Sequence, residues 1–128
     1  MKSPARMAGR PAQASLPKRP QVQDKINQKY LAKLIEDTES AIDNFNLALL
    51  EVEKGNVSPQ IINELFRLVH TIKGSAGLVG AARVESIAHS MENILAALRD
   101  KKAEPSDQVI SLLFAGIDAV KDVIDIYK

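Results

Sequence analysis

From about residue 24 onward, apolar side chains return every three or four positions, the period of one face of an α-helix. Four stretches carry the pattern. The first runs to about Lys54 on Leu31, Leu34, Ile35, Ile42, Phe45, Leu49 and Val52, and Gly55-Asn56 supplies its stop. The second opens with Ser58 as N-cap and Pro59 at the first helical position, where a missing N–H costs nothing. Its stripe is Ile62, Leu65, Val69, Ile72, Ala76 and Val79, and Gly80 marks the break. The third spans about Ala82 to Lys101, with Val84, Ile87, Ala88, Met91, Leu95 and Leu98 inward. Glu104-Pro105-Ser106-Asp107 punctuates the next junction. The fourth runs from about Ser106 to Tyr127 on Val109, Leu112, Leu113, Ile117, Val120 and Ile124. No stretch alternates as a strand would. Short connections make consecutive helices antiparallel, so the pattern predicts an all-α, antiparallel up-down four-helix bundle over residues 27–128.

Composition narrows the function classes. A chain of 128 residues with 45% hydrophobic residues suffices for one domain with one core. Aromatics at 4% argue against a base-stacking surface, so no nucleic-acid partner is expected. The chain has no cysteine, hence no disulfide frame and no thiolate metal site, which fits a cytoplasmic location. No apolar run approaches the roughly 18 residues a membrane span needs. The formal charge of +1 conceals an asymmetry. Residues 1–20 hold Lys2, Arg6, Arg10, Lys18 and Arg19, no acid, and Pro4, Pro11, Pro17 and Pro20. Residues 21–128 hold 12 basic and 16 acidic side chains. Residues 1–26 therefore read as a disordered, basic, proline-rich tail or linker, or as a docking arm for an acidic surface.

The unusual chemistry lies inside the second helix. Residues 70–77 read His-Thr-Ile-Lys-Gly-Ser-Ala-Gly. Each glycine costs a helix interior roughly 1 kcal/mol against alanine, so two of them imply a surface that something else approaches closely. At 100° per residue His70 lies roughly 140° from the centre of the apolar stripe, exposed or at the flank of the bundle. Phe66, Lys73, Gly74 and Gly77 share that side. On the third helix Glu85, His89, Glu92 and Ala96 form a similar flank, with His89 and Glu92 three apart on one face. If the two helices are antiparallel neighbours, a carboxylate there can bond one imidazole nitrogen of His70 and leave the other free to attack. Lys73 would neutralise an incoming phosphoryl group. Two blander readings compete. One is a metal-binding bundle on His70, His89 and Glu92, for which the second half of the paired ligand motif is missing. The other is an adaptor whose histidine is incidental.

The run Phe66-Arg67-Leu68-Val69-His70-Thr71-Ile72-Lys73-Gly74-Ser75-Ala76-Gly77 resembles the signature of histidine phosphotransfer domains. The downstream run Ile87-Ala88-His89-Ser90-Met91-Glu92-Asn93-Ile94-Leu95 resembles, within that family, the N-terminal phosphotransfer domain of chemotaxis histidine kinases. The resemblance implies that His70 is the phosphorylated residue and that Glu92 accepts from its Nδ1–H, making Nε2 the nucleophile. It implies that Lys73 and His89 complete the polar network, and that Phe66, Gly74 and Gly77 belong to the docking face. The implied partners are a histidine kinase catalytic domain, in cis or in trans, and the receiver domain of a response regulator. A relay between two receivers is the rival within the family. The bundle itself should need no cofactor, be a monomer in isolation and neither bind ATP nor phosphorylate itself, since no Gly-rich phosphate loop occurs. ATP and Mg²⁺ would belong to the partner domains. The chemotaxis version can carry a fifth helix, which a chain stopping at Lys128 would lack.

Overall fold

In the computed structural model, which describes residues 25–128, four helices follow one another: α1 (Lys25–Glu53), α2 (Pro59–Leu78), α3 (Ala82–Arg99) and α4 (Asp107–Ile126). The proline-rich basic stretch lies almost wholly outside the described residues. Local chemistry sets most of the helix ends. Ser58 and Ser106 have extended backbones, and each hydroxyl accepts from the amide three residues on, Ile61 N and Val109 N, at 3.2 Å. Each bond satisfies one of the amides that a helix start leaves unpaired. Gly55 (φ +98°) and Gly80 (φ +74°) turn the chain out of α1 and α2 in the left-handed conformation. The α2 exit closes with Ala81 N donating to Ala76 O at 2.9 Å and Gly80 N donating to Gly77 O at 3.3 Å, the paired bonds of a Schellman end.

The third helix stops sooner than its composition suggests. It ends at Arg99 rather than Lys101, because Lys101 itself takes the left-handed conformation (φ +58°) and Lys102 N reaches back to Ala97 O at 2.8 Å. A lysine performs the task that glycine performs at the other two exits.

The helices form a ring in which α1 packs on α2, α2 on α3, α3 on α4 and α4 on α1, while the diagonal pairs stay apart. The most extensive of these pairings is α2 with α3. The core is continuous from Ala41, Phe45 and Leu49 of α1 through Leu65, Val69 and Ile72 of α2 and Leu95 of α3 to Leu113 and Ile117 of α4. Val69 and Ile72 are fully buried and stand on either side of His70 in sequence. Each buried side chain of that size contributes about 1.5–3 kcal/mol, so the orientation of α2, and with it the outward direction of His70, is firmly held. Between α3 and α4, Met91 lies directly over Gly116: a Cβ there would stand 2.8 Å from its Sδ.

The inward faces of α1 to α3 follow the expected stripes, with Ile35, Val79 and Ile87 half-buried at their edges and Thr38 and Ala41 added to the interior. The fourth helix is rotated relative to expectation. Leu112 is 56% exposed and Val109 half-buried, whereas Ile110 and Val123 turn inward. Apolar side chains occupy Val109, Ile110, Leu112, Leu113 and Phe114, so several rotations satisfied the sequence period equally, and packing against α1 and α3 selected one. Among the described residues no helix is long and apolar enough to cross a membrane.

Candidate functional site

His70 stands on the outer face of α2 with its side chain 66% exposed. Its Nδ1 lies 2.6 Å from Oε2 of Glu92, across the α2–α3 groove. The other carboxylate oxygen, Oε1, accepts from Lys73 Nζ at 2.7 Å. One carboxylate thus ties together a histidine and a lysine one turn apart on the neighbouring helix. Glu92 itself is buried, its side chain only 9% exposed, and no buried side-chain polar atom among the described residues lacks a partner.

Glu92 lies on the expected flank facing His70, and more deeply than its neighbours there, Glu85 and His89, which are exposed. The residue is four past Ala88 and three before Leu95, both fully buried, so it sits at the margin of the apolar stripe where α2 closes over it. This spacing is the signal in the sequence that distinguishes it from its neighbours. A carboxylate placed there must find donors, and His70 and Lys73 supply them.

Electrostatics decides the roles of the two imidazole nitrogens. Burial raises the Glu92 pKa, but the hydrogen bonds from Lys73 and His70 and their charges outweigh it, and the net result lies below the ordinary 4.5. Glu92 is therefore ionised at neutral pH and only accepts hydrogen bonds. Nδ1 must then carry the proton, and in the neutral ring the lone pair is on Nε2. The buried oxygen holds the tautomer, and the exposed nitrogen remains available.

The remaining expected residues occupy distinct places. His89 is exposed on α3 and makes no hydrogen bond to His70, Lys73 or Glu92; with Lys73, Ala82, Glu85 and Ser86 it lines an open depression beside the pair. It is a neighbour of the network, not a bonded member. Among the described residues no three His, Cys, Asp or Glu side chains gather as a metal ion would need. Gly74 faces open space: a Cβ there would meet nothing within 4 Å. Gly77 is different, because Glu85 Oε2 would lie 3.2 Å from such a Cβ. A side chain there would have to move only the exposed carboxylate end of Glu85. Phe66 is half-buried, with its ring stacked on that of His70 at 6.5 Å between centroids and under the guanidinium of Arg99 at 5.0 Å. Arg99 has no local sequence signal, lying 33 residues from Phe66.

The model of the Hpt domain family matches residues 29–123, and the chain belongs to that family. Among its relatives is the chemotaxis protein CheA of Halobacterium salinarum, 30% identical over 96 residues, which cover 75% of this chain and 14% of that protein. The CheA of Bacillus subtilis is 28% identical over 99 residues, covering 77% of this chain and 15% of that protein. The chain thus corresponds to about one seventh of the length of these relatives. Among solved structures, the CheA phosphotransferase domain from Thermotoga maritima superposes with a TM-score of 0.72 at 34% identity, covering 76% of this chain and 92% of that one. A computationally redesigned four-helix bundle superposes at 0.75 with 25% identity, covering 79% and 99%. The phosphotransfer domain of CheA-like chemotaxis kinases is the particular type that this bundle matches.

Proposed function

We propose that His70 carries a phosphoryl group between a histidine kinase catalytic domain and an aspartate of a response-regulator receiver, in the cytoplasm. The observation that carries this reading is the 2.6 Å bond between Nδ1 of an exposed histidine and a buried, ionised carboxylate. In the first step the Nε2 lone pair attacks the γ-phosphorus of ATP held by the kinase domain. The N–P bond forms, the P–O bond to the ADP leaving group breaks, and Glu92 balances the positive charge that develops on the ring. In the second step an aspartate carboxylate of the receiver attacks phosphorus, the P–N bond breaks, and the electron pair returns to Nε2. Lys73, fixed by Glu92 one turn from His70, offsets the charge of the phosphoryl oxygens. Gly74 leaves the space that a docking domain requires. ATP and Mg²⁺ are supplied by the partners, and the bundle contributes a positioned nucleophile. The CheA relatives favour a kinase donor over a relay between receivers.

Labelling with ATP and a CheA-type kinase catalytic domain tests the assignment. Label should be stable in base and lost in acid, as a phosphoramidate bond requires. His70→Gln should abolish it while the helical circular dichroism is unchanged. Undiminished labelling of that variant would put the phosphoryl group on another residue and sink the assignment of His70.

A further inference from the structure

Glu92 restrains His70 at one atom. A single bond at Nδ1 selects the tautomer but leaves the plane of the ring free to tilt about that contact, and a side chain 66% exposed gets little further restraint from packing. The second contact is Phe66, one turn earlier on α2. Its ring is within 8° of parallel to the imidazole and strongly offset from it, with 6.5 Å between centroids, so the two meet along their edges and not face on face. Phe66 is half-buried and packed against the core, which leaves its outer face open to a further contact. Arg99, from the last turn of α3, adds a restraint from the neighbouring helix by placing its guanidinium over the phenyl ring at 5.0 Å, while its Nε donates to Asp100 Oδ1 at 3.3 Å. Guanidinium, phenyl and imidazole are thus linked in series across the same two helices that Glu92 bridges lower down.

We infer that Arg99 is a positioning residue for His70, acting through Phe66 to set the plane in which the imidazole presents Nε2. The inference rests on the reading of His70 as the nucleophile, and it gives Phe66 a task inside the site in addition to any contact with a partner. Together the two restraints divide the work: Glu92 fixes which nitrogen reacts, and the Arg99–Phe66 pair fixes where that nitrogen points. A planar guanidinium stacks on an aromatic face as an ammonium does not, so lysine should replace Arg99 only in part.

The test uses the full chain with Arg99→Leu, Arg99→Lys, Phe66→Leu and the double variant Phe66→Leu/Arg99→Leu. Two quantities are read: the chemical shifts of the His70 ring protons, and the rate at which His70 takes phosphate from phosphoramidate, a donor too small to need a docking surface. Arg99→Leu should shift the ring protons without altering the Nδ1–H tautomer. It should slow labelling about 2- to 5-fold, the change equivalent to an exposed cation–π contact of about 0.5–1 kcal/mol. Arg99→Lys should fall between it and wild type. The double variant should be no slower than the slower single, because the residues act in series. Wild-type shifts and rate in Arg99→Leu, or effects of the two substitutions that multiply, would overturn the inference. If wild type takes no phosphate at His70 from ATP and a kinase catalytic domain, the nucleophile reading is at fault, and the ring-proton shifts still decide whether Arg99 sets the ring.

Discussion

Replacing Glu92 separates its chemical role from its structural one. Its two oxygens accept from His70 at 2.6 Å and from Lys73 at 2.7 Å, and its side chain is 9% exposed. Hydrogen bonds to charged groups contribute about 1.5–3 kcal/mol each. Glu92→Ala does not lose that sum, because the groups left behind are not sealed in. His70 is 66% exposed and Lys73 28%, so both regain water. A net loss of about 1–2 kcal/mol follows from that partial compensation. At about 4–8 °C per kcal/mol for a domain of this size, the melting midpoint falls measurably and the fold is kept. The effect on reactivity should be larger. Loss of a group that orients a reacting histidine costs about 10- to 100-fold, and here the tautomer restraint disappears with it. Labelling rates with the kinase donor and with phosphoramidate should both drop by that factor, and nitrogen-detected NMR should show the His70 proton redistributed between Nδ1 and Nε2. Glu92→Gln keeps one acceptor for His70 but presents an amide to Lys73 or swaps the two, so it should lie between. A Glu92→Ala protein with wild-type rate and an unchanged tautomer would refute the reasoning.

Four further outcomes follow from the same structure. The lowered pKa of Glu92 means that its contribution to stability is complete above the ordinary 4.5 and drains away as pH falls through the lower folded-state value; melting midpoints of wild type and Glu92→Gln should therefore converge on acidification. Gly116→Val places carbon where Met91 Sδ already lies and should cost about 1–3 kcal/mol in urea denaturation, with much of it relieved in a Met91→Ala background. Gly74→Leu should preserve or raise the melting midpoint, since leucine is the better helix former and the space is open, yet block transfer from a kinase domain while sparing phosphoramidate. Gly77→Leu should also hinder the large donor while its melting midpoint stays close to that of Gly74→Leu, because only the exposed end of Glu85 has to move.

What neighbours along the chain decide was legible in the sequence. Ser58 caps its helix through the amide three residues away, and Gly55 and Gly80 release the chain where a left-handed residue is needed. The apolar period identified four helices, and the same period put His70 on the outer face of α2. Where a local signal was absent or ambiguous, only the tertiary structure decided. Lys101 ends α3 in a conformation that its side chain does not advertise. The rotation of α4 was open until its neighbours chose Ile110 over Leu112. Glu92 read as a flank residue because a helical wheel locates the edge of a stripe without saying what covers it, and α2 covers it. The stack of Arg99 on Phe66 joins side chains from two helices, and its existence depends on the axial register between them. Period and capping are properties of one helix. Burial of a residue at the margin, and the partner it meets, are set by how two helices pack.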